Sequence, residues 1–298
     1  MPRISRLKVK GETAVYHVMS RTALSGFVIK DVDKDYLLEI IKKFSSLYFV
    51  DVIGLCIMCT HFHGLTRIHS GSEFSDEEIQ RRYTAYYGDK NVLTAGQIKG
   101  YRKKWEDLSE YMKDIKQTFA RYYNKKHQRK GFFWGERFKS VLVDNGETLI
   151  NCLAYIDLNP MRAGLVKKPE AYRWNSIGYH IQTNNKDDFL SLDFGLEEFG
   201  LKDSEARLEH YRRFLYVKGG LATLADDGSL EGTDLTEMDR FLYRTRYFTD
   251  SGIIGSKAFV EKNYLTFKHH FSCKNKKIPK SIKGLQGIYS LKKLVESI

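Results

Sequence analysis

The run from Tyr48 to Met58 is the longest apolar stretch of the chain, and it leads into Thr60-His61-Phe62-His63. Asp51 interrupts it, and it falls far short of the roughly 20 residues that a helix needs to cross a bilayer. Residues 49–58 are β-rich and read as a strand. Residues 64–68 either continue that strand or begin a hairpin partner. A chain with this element must build a sheet and cover it.

The flanking pattern supplies the cover. Residues 13–20 alternate as a strand does, and residues 33–47 place Leu37, Ile40, Ile41 and Phe44 at helical spacing. The 70–108 segment is polar, carries Gly88, Gly96 and Gly100, and reads as an insertion with some helix, not a core element. A stronger helix follows at 109–126, with Met112, Ile115, Phe119 and Tyr122 as its apolar stripe. The basic turn KKHQRKG and a strand at 137–143 come next. Asp144 and Glu147 are a capping pair for a helix at 146–159. Pro160 stops that helix, because proline disfavours helical geometry in the residue before it. Strands mixed with helices in this order predict an α+β sandwich. Residues 186–199, opening on KDD, read as a linker. Residues 200–298 read as a second, mostly helical unit with a basic tail.

Charge narrows the partners. Lys and Arg number 49 against 37 Asp and Glu, a net charge of +12. Such an excess marks phosphate polymers or anionic membranes as partners; a merely basic surface is the plain alternative. Aromatics at 13% favour the nucleic-acid side, since stacking platforms and basic grooves occur together in single-strand binders. The N-terminal segment has no apolar region of the export type. Cys56, Cys59, Cys152 and Cys273 have no framework spacing, so a reducing, cytoplasmic home is expected.

On a strand, His61 and His63 point the same way, with Phe62 directed to the other face. Two adjacent imidazoles are a half-site for a divalent metal; two hydrogen-bonded histidines at a strand end are the bland alternative. A zinc site through Cys56, Cys59, His61 and His63 fails on a regular strand, where Cys56 faces away and four ligands cannot close a tetrahedron. On the helix at 146–159, Leu149, Cys152, Leu153 and Ile156 form the buried stripe, and Tyr155 and Asn159 share a face at i,i+4.

Together, T-H-F-H-G (60–64) and A-Y-I-D-L-N-P-M-R-A-G-L-V (154–166) resemble the single-tyrosine His-hydrophobic-His (HUH) transposases, most closely the REP-associated tyrosine transposases. G-F-F-W-G-E-R-F-K-S (131–140), Pro169, Tyr172 to Trp174 and Ser176 are similar to that group as well. The resemblance covers roughly residues 5–180 without 70–108. It implies a ferredoxin-like sandwich around a central antiparallel sheet, spanning a catalytic domain at 1–185. It implies Mg²⁺ or Mn²⁺ on His61 and His63, Asn159 as a third ligand, and Tyr155 as nucleophile. The implied substrate is single-stranded DNA with hairpin elements, cut through a 5′-phosphotyrosine. A catalytically idle binder of the same fold is the rival reading, and a zinc-stabilised binding module a third. Cys59-Thr60 departs from the Pro-Asn or Pro-Glu usual before the histidines. REP-associated relatives tend to be monomers, and a monomer is the expectation here.

Tyr122 and Tyr123 compete with Tyr155. Tyr122 reads as core. Tyr123 reads as polar-facing, able to stack on a base, with His127 one turn on. Residues 113–139 concentrate basic groups around Phe132, Phe133 and Trp134. The DNA-contacting set expected from them is Lys113, Lys116, Arg121, Tyr123, Lys125, Lys126, Arg129, Lys130, Trp134 and Arg137, with Arg162 beyond the tyrosine helix. The lysines at 274, 276, 277, 280 and 283 either extend the groove or form a basic tail.

Overall fold

The structure, a computed structural model, describes residues 6–88, 91–193, 200–219, 223–224, 230–231, 247–271, 277–282 and 285–291. It is an α+β fold. Strand β1 (Ala14–Arg21) is followed by helix α1 (Asp31–Leu47), then β2 (Val50–Ile57) and β3 (His61–Ile68). Helices α2 (Asp76–Tyr87), α3 (Ala95–Trp105) and α4 (Leu108–Lys126) precede β4 (Lys139–Val143). These four strands lie in the order β2-β3-β1-β4, antiparallel throughout. That is the split β-α-β arrangement of the ferredoxin-like sandwich. The two readings of residues 64–68 resolve as a hairpin, with β3 folding back on β2.

One face of the sheet is closed by α1 and α4, which pack on each other. Phe62 points there, with its ring 5.5 Å from Trp134, which in turn lies 5.6 Å from Phe119 on α4. The other face carries α5 (Glu147–Asp157) and the short α6 (Asn159–Arg162). Close approach of α5 to β2 depends on Gly54, where an added Cβ would lie 2.1 Å from Leu153 Cδ1. Helix α7 (Ser176–Thr183) locks to the same pair of elements. Ser176 Oγ accepts from Leu55 N at 2.7 Å, and Asp157 Oδ1 accepts from the Ser176 and Ile177 N–H groups at 2.8 and 3.3 Å.

The 70–108 segment is more than an appendage. Trp105 is wholly buried, its carbonyl accepts from Phe49 N at 3.0 Å, and Ile79 and Leu93 are also core. Polar composition hid these anchors. The capping pair is corrected too. Gly146 with φ 63° begins α5 and no side chain caps it. Asp144 Oδ2 instead accepts from Ser256 N and Oγ at 3.0 and 2.7 Å, tying β4 to the C-terminal region.

Beyond residue 200 the expected helices are present as α8 (Ser204–Lys218), α9 (Tyr247–Asp250) and α10 (Lys257–Thr266). A short pair, β5 (Thr223–Leu224) and β6 (Leu230–Glu231), also occurs here. Strands β7 (Ile253–Gly255), β8 (Lys280–Ile282) and β9 (Leu285–Ser290) were not expected. They extend the main sheet to seven strands, β7 pairing parallel to β4 and the rest antiparallel. β7 and β8, three residues each, are too short for alternation to register. Helix α8 packs on α5, where Tyr211 donates to Asp157 Oδ2 at 2.7 Å. Lys274, Lys276 and Lys283 lie outside the described residues, as does Cys273. No helix among the described residues is long and apolar enough to cross a membrane.

At the far end of β3, His69 bridges Asp51 at 2.8 Å and Glu73 at 3.2 Å. The Asp51 contact above all raises its pKa above the usual imidazole value. Its stabilisation is therefore complete below about pH 6.5, the unfolded value, and is lost as pH rises through the raised folded value. The pair is half exposed, so the expected size is under ~1 kcal/mol. The melting-temperature gap between wild type and His69→Gln should narrow as pH rises from neutral to alkaline; a gap constant with pH would refute the bridge.

Candidate metal and nucleophile site

His61 and His63 open β3 on the face covered by α5. The pairing register sets Arg21 opposite His61, and both Met19 on β1 and Cys56 on β2 opposite His63. Paired residues share a face, so Cys56 lies on the histidine side of the hairpin, not on the far side as a continuous strand required. Burial raises its thiol pKa well above the ordinary value. Among the described residues, no group of three or more His, Cys, Asp and Glu is arranged to hold a metal ion.

The imidazoles nevertheless suit a divalent ion as a pair. Their ring centroids are 5.0 Å apart, His61 partly exposed and His63 buried. Burial lowers His61 to about 4 and His63 well below its ordinary value, and the Arg162 charge pushes both the same way. Both rings are therefore neutral at pH 7, the form that ligates metals. Thr60 Oγ1 lies 2.9 Å from His61 Nδ1.

Tyr155 projects from α5 against this pair. Its ring centroid is 5.8 Å from that of His63, and the side chain is only 6% exposed. Phe248 of α9 stacks on it at 5.4 Å, and the Arg162 guanidinium sits 4.3 Å over its ring. Asn159 Nδ2 donates to the Tyr155 and Ile156 carbonyls at 3.3 and 3.2 Å. It caps the end of α5 and leaves its oxygen as the end able to ligate. Arg162 Nη2 donates to Tyr155 O at 2.6 Å, while Nη1 is buried without a partner among the described residues.

One residue of this cluster escaped the sequence reading. His17 of β1 is buried, with Nε2 2.9 Å from His63 Nδ1 and Nδ1 2.6 Å from the Phe248 carbonyl. A lone histidine within a strand carries no local spacing signal; its partner lies 46 residues away.

The expected DNA-contacting residues divide. Tyr123 is a correction: it is buried, its hydroxyl donates to Val28 O at 3.3 Å and its ring stacks on His127 at 4.1 Å. The buried stripe of α4 runs 108, 111, 112, 115, 119, 123, taking the i+4 position and leaving Tyr122 half exposed on Asp33. Trp134 is also drawn inward, its indole donating to Lys116 O at 2.9 Å. Lys113 pairs with Glu110 and Lys126 with Asp33, while Lys116 donates to Glu136 O and Arg129 to Asn124 Oδ1. Arg121, Lys125, Lys130 and Arg137 are exposed and pair with no carboxylate among the described residues. Phe132, 88% exposed, stands in the loop that these last residues flank. That loop reaches the His61 end of the sheet, with Gly135 N donating to Arg21 O at 3.0 Å and Ala23 N to Phe133 O at 2.8 Å.

No family model matches the chain, and no curated protein matches it. Among solved structures, the chain is similar to one described as a REP-associated tyrosine transposase bound to a REP hairpin, with 14% identity, a TM-score of 0.43, and coverage of 62% of this chain and 87% of that one.

Proposed function

We propose that the chain is a metal-dependent single-strand DNA endonuclease and strand transferase of the HUH tyrosine type, cutting near hairpins through a 5′-phosphotyrosine on Tyr155. The observation that carries this reading is the juxtaposition of Tyr155 with His63, 5.8 Å between ring centroids, brought about by two elements far apart in sequence. The motifs that resemble the REP-associated transposases fall on these residues.

The chemistry asks three things of the site. Tyr155 Oη must attack phosphorus in line; a Tyr–O–P bond forms and the bond to the 3′ oxygen breaks. The phenol proton is lost, and the 3′ oxygen leaves as a hydroxyl. The linkage conserves the energy of the broken bond for later rejoining. Arg162, its guanidinium over the tyrosine and its Nη1 without a partner among the described residues, offers a donor for a phosphate oxygen as charge builds there. His61 and His63, with the Asn159 oxygen as third donor, would hold a Mg²⁺ or Mn²⁺ ion, which would supply further positive charge to offset that on the phosphate.

The substrate's single strand is taken to approach along the loop of Phe132. Arg121, Lys125, Lys130 and Arg137 hold its phosphates and Phe132 stacks on an unpaired base. Stacking of this kind is worth about 1–3 kcal/mol, so Phe132→Ala should weaken binding of single-stranded hairpin DNA by roughly 5- to 150-fold. Fluorescence anisotropy reads this directly, and unchanged affinity would remove Phe132 from the path.

The idle-binder reading is favoured by one observation, the 6% exposure of Tyr155 beneath Phe248 and Arg162. A covalent-adduct assay separates the two. The protein is incubated with Mn²⁺ and a pool of single-stranded hairpins, and a protein–DNA band that survives denaturation is sought. Binding without such a band, across hairpins and metals, would leave the idle binder standing.

A further inference from the structure

We infer that His17 is a positioning residue: it holds His63 in the tautomer that presents the Nε2 lone pair to a metal, and is itself set by the backbone carbonyl of Phe248. The inference rests on the proposed metal role of His63.

The argument is an accounting of hydrogens. A carbonyl oxygen only accepts, so the 2.6 Å contact between His17 Nδ1 and Phe248 O places a hydrogen on Nδ1. His17 is buried against His63, Tyr155 and Phe248, and among the described residues no carboxylate hydrogen-bonds to it. A single hydrogen on the ring leaves Nε2 as an acceptor. The atom facing Nε2 at 2.9 Å is His63 Nδ1, which must therefore be the donor. With its hydrogen on Nδ1, neutral His63 carries its lone pair on Nε2.

The ring geometry agrees. The two planes are inclined by only 18°, yet their centroids are 5.1 Å apart. A face-to-face stack at that N···N distance would bring the centroids closer. The rings instead meet edge to edge, nearly coplanar, and a ring N–H lies in its own plane. The relay thus runs from Phe248 O through His17 to His63, joining three segments of the chain. The same residue that sets it, Phe248, also stacks on Tyr155.

The test uses the full-length protein with ¹⁵N-labelled histidine. Long-range ¹H–¹⁵N correlation without metal should show His17 and His63 both carrying hydrogen on Nδ1. A hydrogen on His63 Nε2 would overturn the inference, with no variant needed. In His17→Phe, which keeps a ring but no acceptor, His63 should shift toward the Nε2–H form. Mn²⁺ affinity, read by calorimetry, should fall about 10- to 100-fold. His17→Gln offers both a donor and an acceptor and should recover part of that loss. Wild-type affinity in a folded His17→Phe would also overturn it. The parent reading fails separately. A correct tautomer and tight Mn²⁺ with no covalent DNA adduct would sink the nuclease and leave the relay. An adduct with His63 hydrogen on Nε2 would do the reverse.

Discussion

Tyr155→Phe should abolish the denaturation-resistant protein–DNA band, while Tyr122→Phe and Tyr123→Phe should retain it. The expectation follows from what each hydroxyl touches. The Tyr122 hydroxyl is committed to Asp33 and Lys126, and the Tyr123 hydroxyl to the Val28 carbonyl. Neither ring lies beside the histidine pair. In the proposed reaction, removing the Tyr155 oxygen deletes the attacking atom itself, so the loss should be complete within detection and not a graded slowing. The Phe ring still stacks on Phe248 and lies under Arg162, so folding stability should change by no more than about 1 kcal/mol. A band that persists in Tyr155→Phe would end the assignment, and one lost only in Tyr123→Phe would move the nucleophile to α4.

The second large effect is on stability. Asp157 is fully buried two residues after the tyrosine, and three donors converge on it: Tyr211 Oη at 2.7 Å and the Ser176 and Ile177 amides at 2.8 and 3.3 Å. Asp157→Ala strands all three and opens a hole between α5, α7 and α8. The expected loss is about 3–5 kcal/mol, a large part of the ~5–15 kcal/mol that holds a domain folded. Asp157→Asn keeps an acceptor for the amides and should lose far less. Urea denaturation of the two variants reads the difference, and equal losses would show that neither the volume nor the acceptor that Asn keeps replaces the carboxylate there. Burial pushes the Asp157 carboxyl up to about 7, against the hydrogen bonds that favour its charged form. A carboxyl raised on folding holds its proton more tightly in the native state, so stability falls as pH rises from about 4, the unfolded value, to about 7. The Asn variant should lack that slope.

Period-two and period-3.6 arguments placed the parts of the site that are local in sequence. His61 and His63 share a face because β3 is regular, and Tyr155 and Asn159 share one because Tyr155 closes the last turn of α5. What periodicity missed is long-range. Cys56 changed face because a turn at 58–60 folds one apparent run into two strands. Tyr122 and Tyr123 exchanged roles because i+3 and i+4 both satisfy a helical stripe, and only packing against the β1–α1 loop decides between them. His17 has no local partner, and its contacts lie 46 and 231 residues away. Ile253–Gly255 is a strand only because β4 offers it an edge.

The reach from His17 to Phe248 also governs when the site is complete during synthesis. A ribosome that has released residues 1–180 has already delivered His61, His63 and Tyr155. Chains fold from the N-terminus as they emerge, so the first four strands can pair at that stage. The carbonyl that orders the imidazoles and the ring that covers the tyrosine arrive only with residue 248. Closing so long a loop is slow relative to local pairing. A nascent or truncated chain therefore carries His61, His63 and Tyr155 without the arrangement that sets and shields them, and synthesis past residue 248 becomes the condition for a finished site.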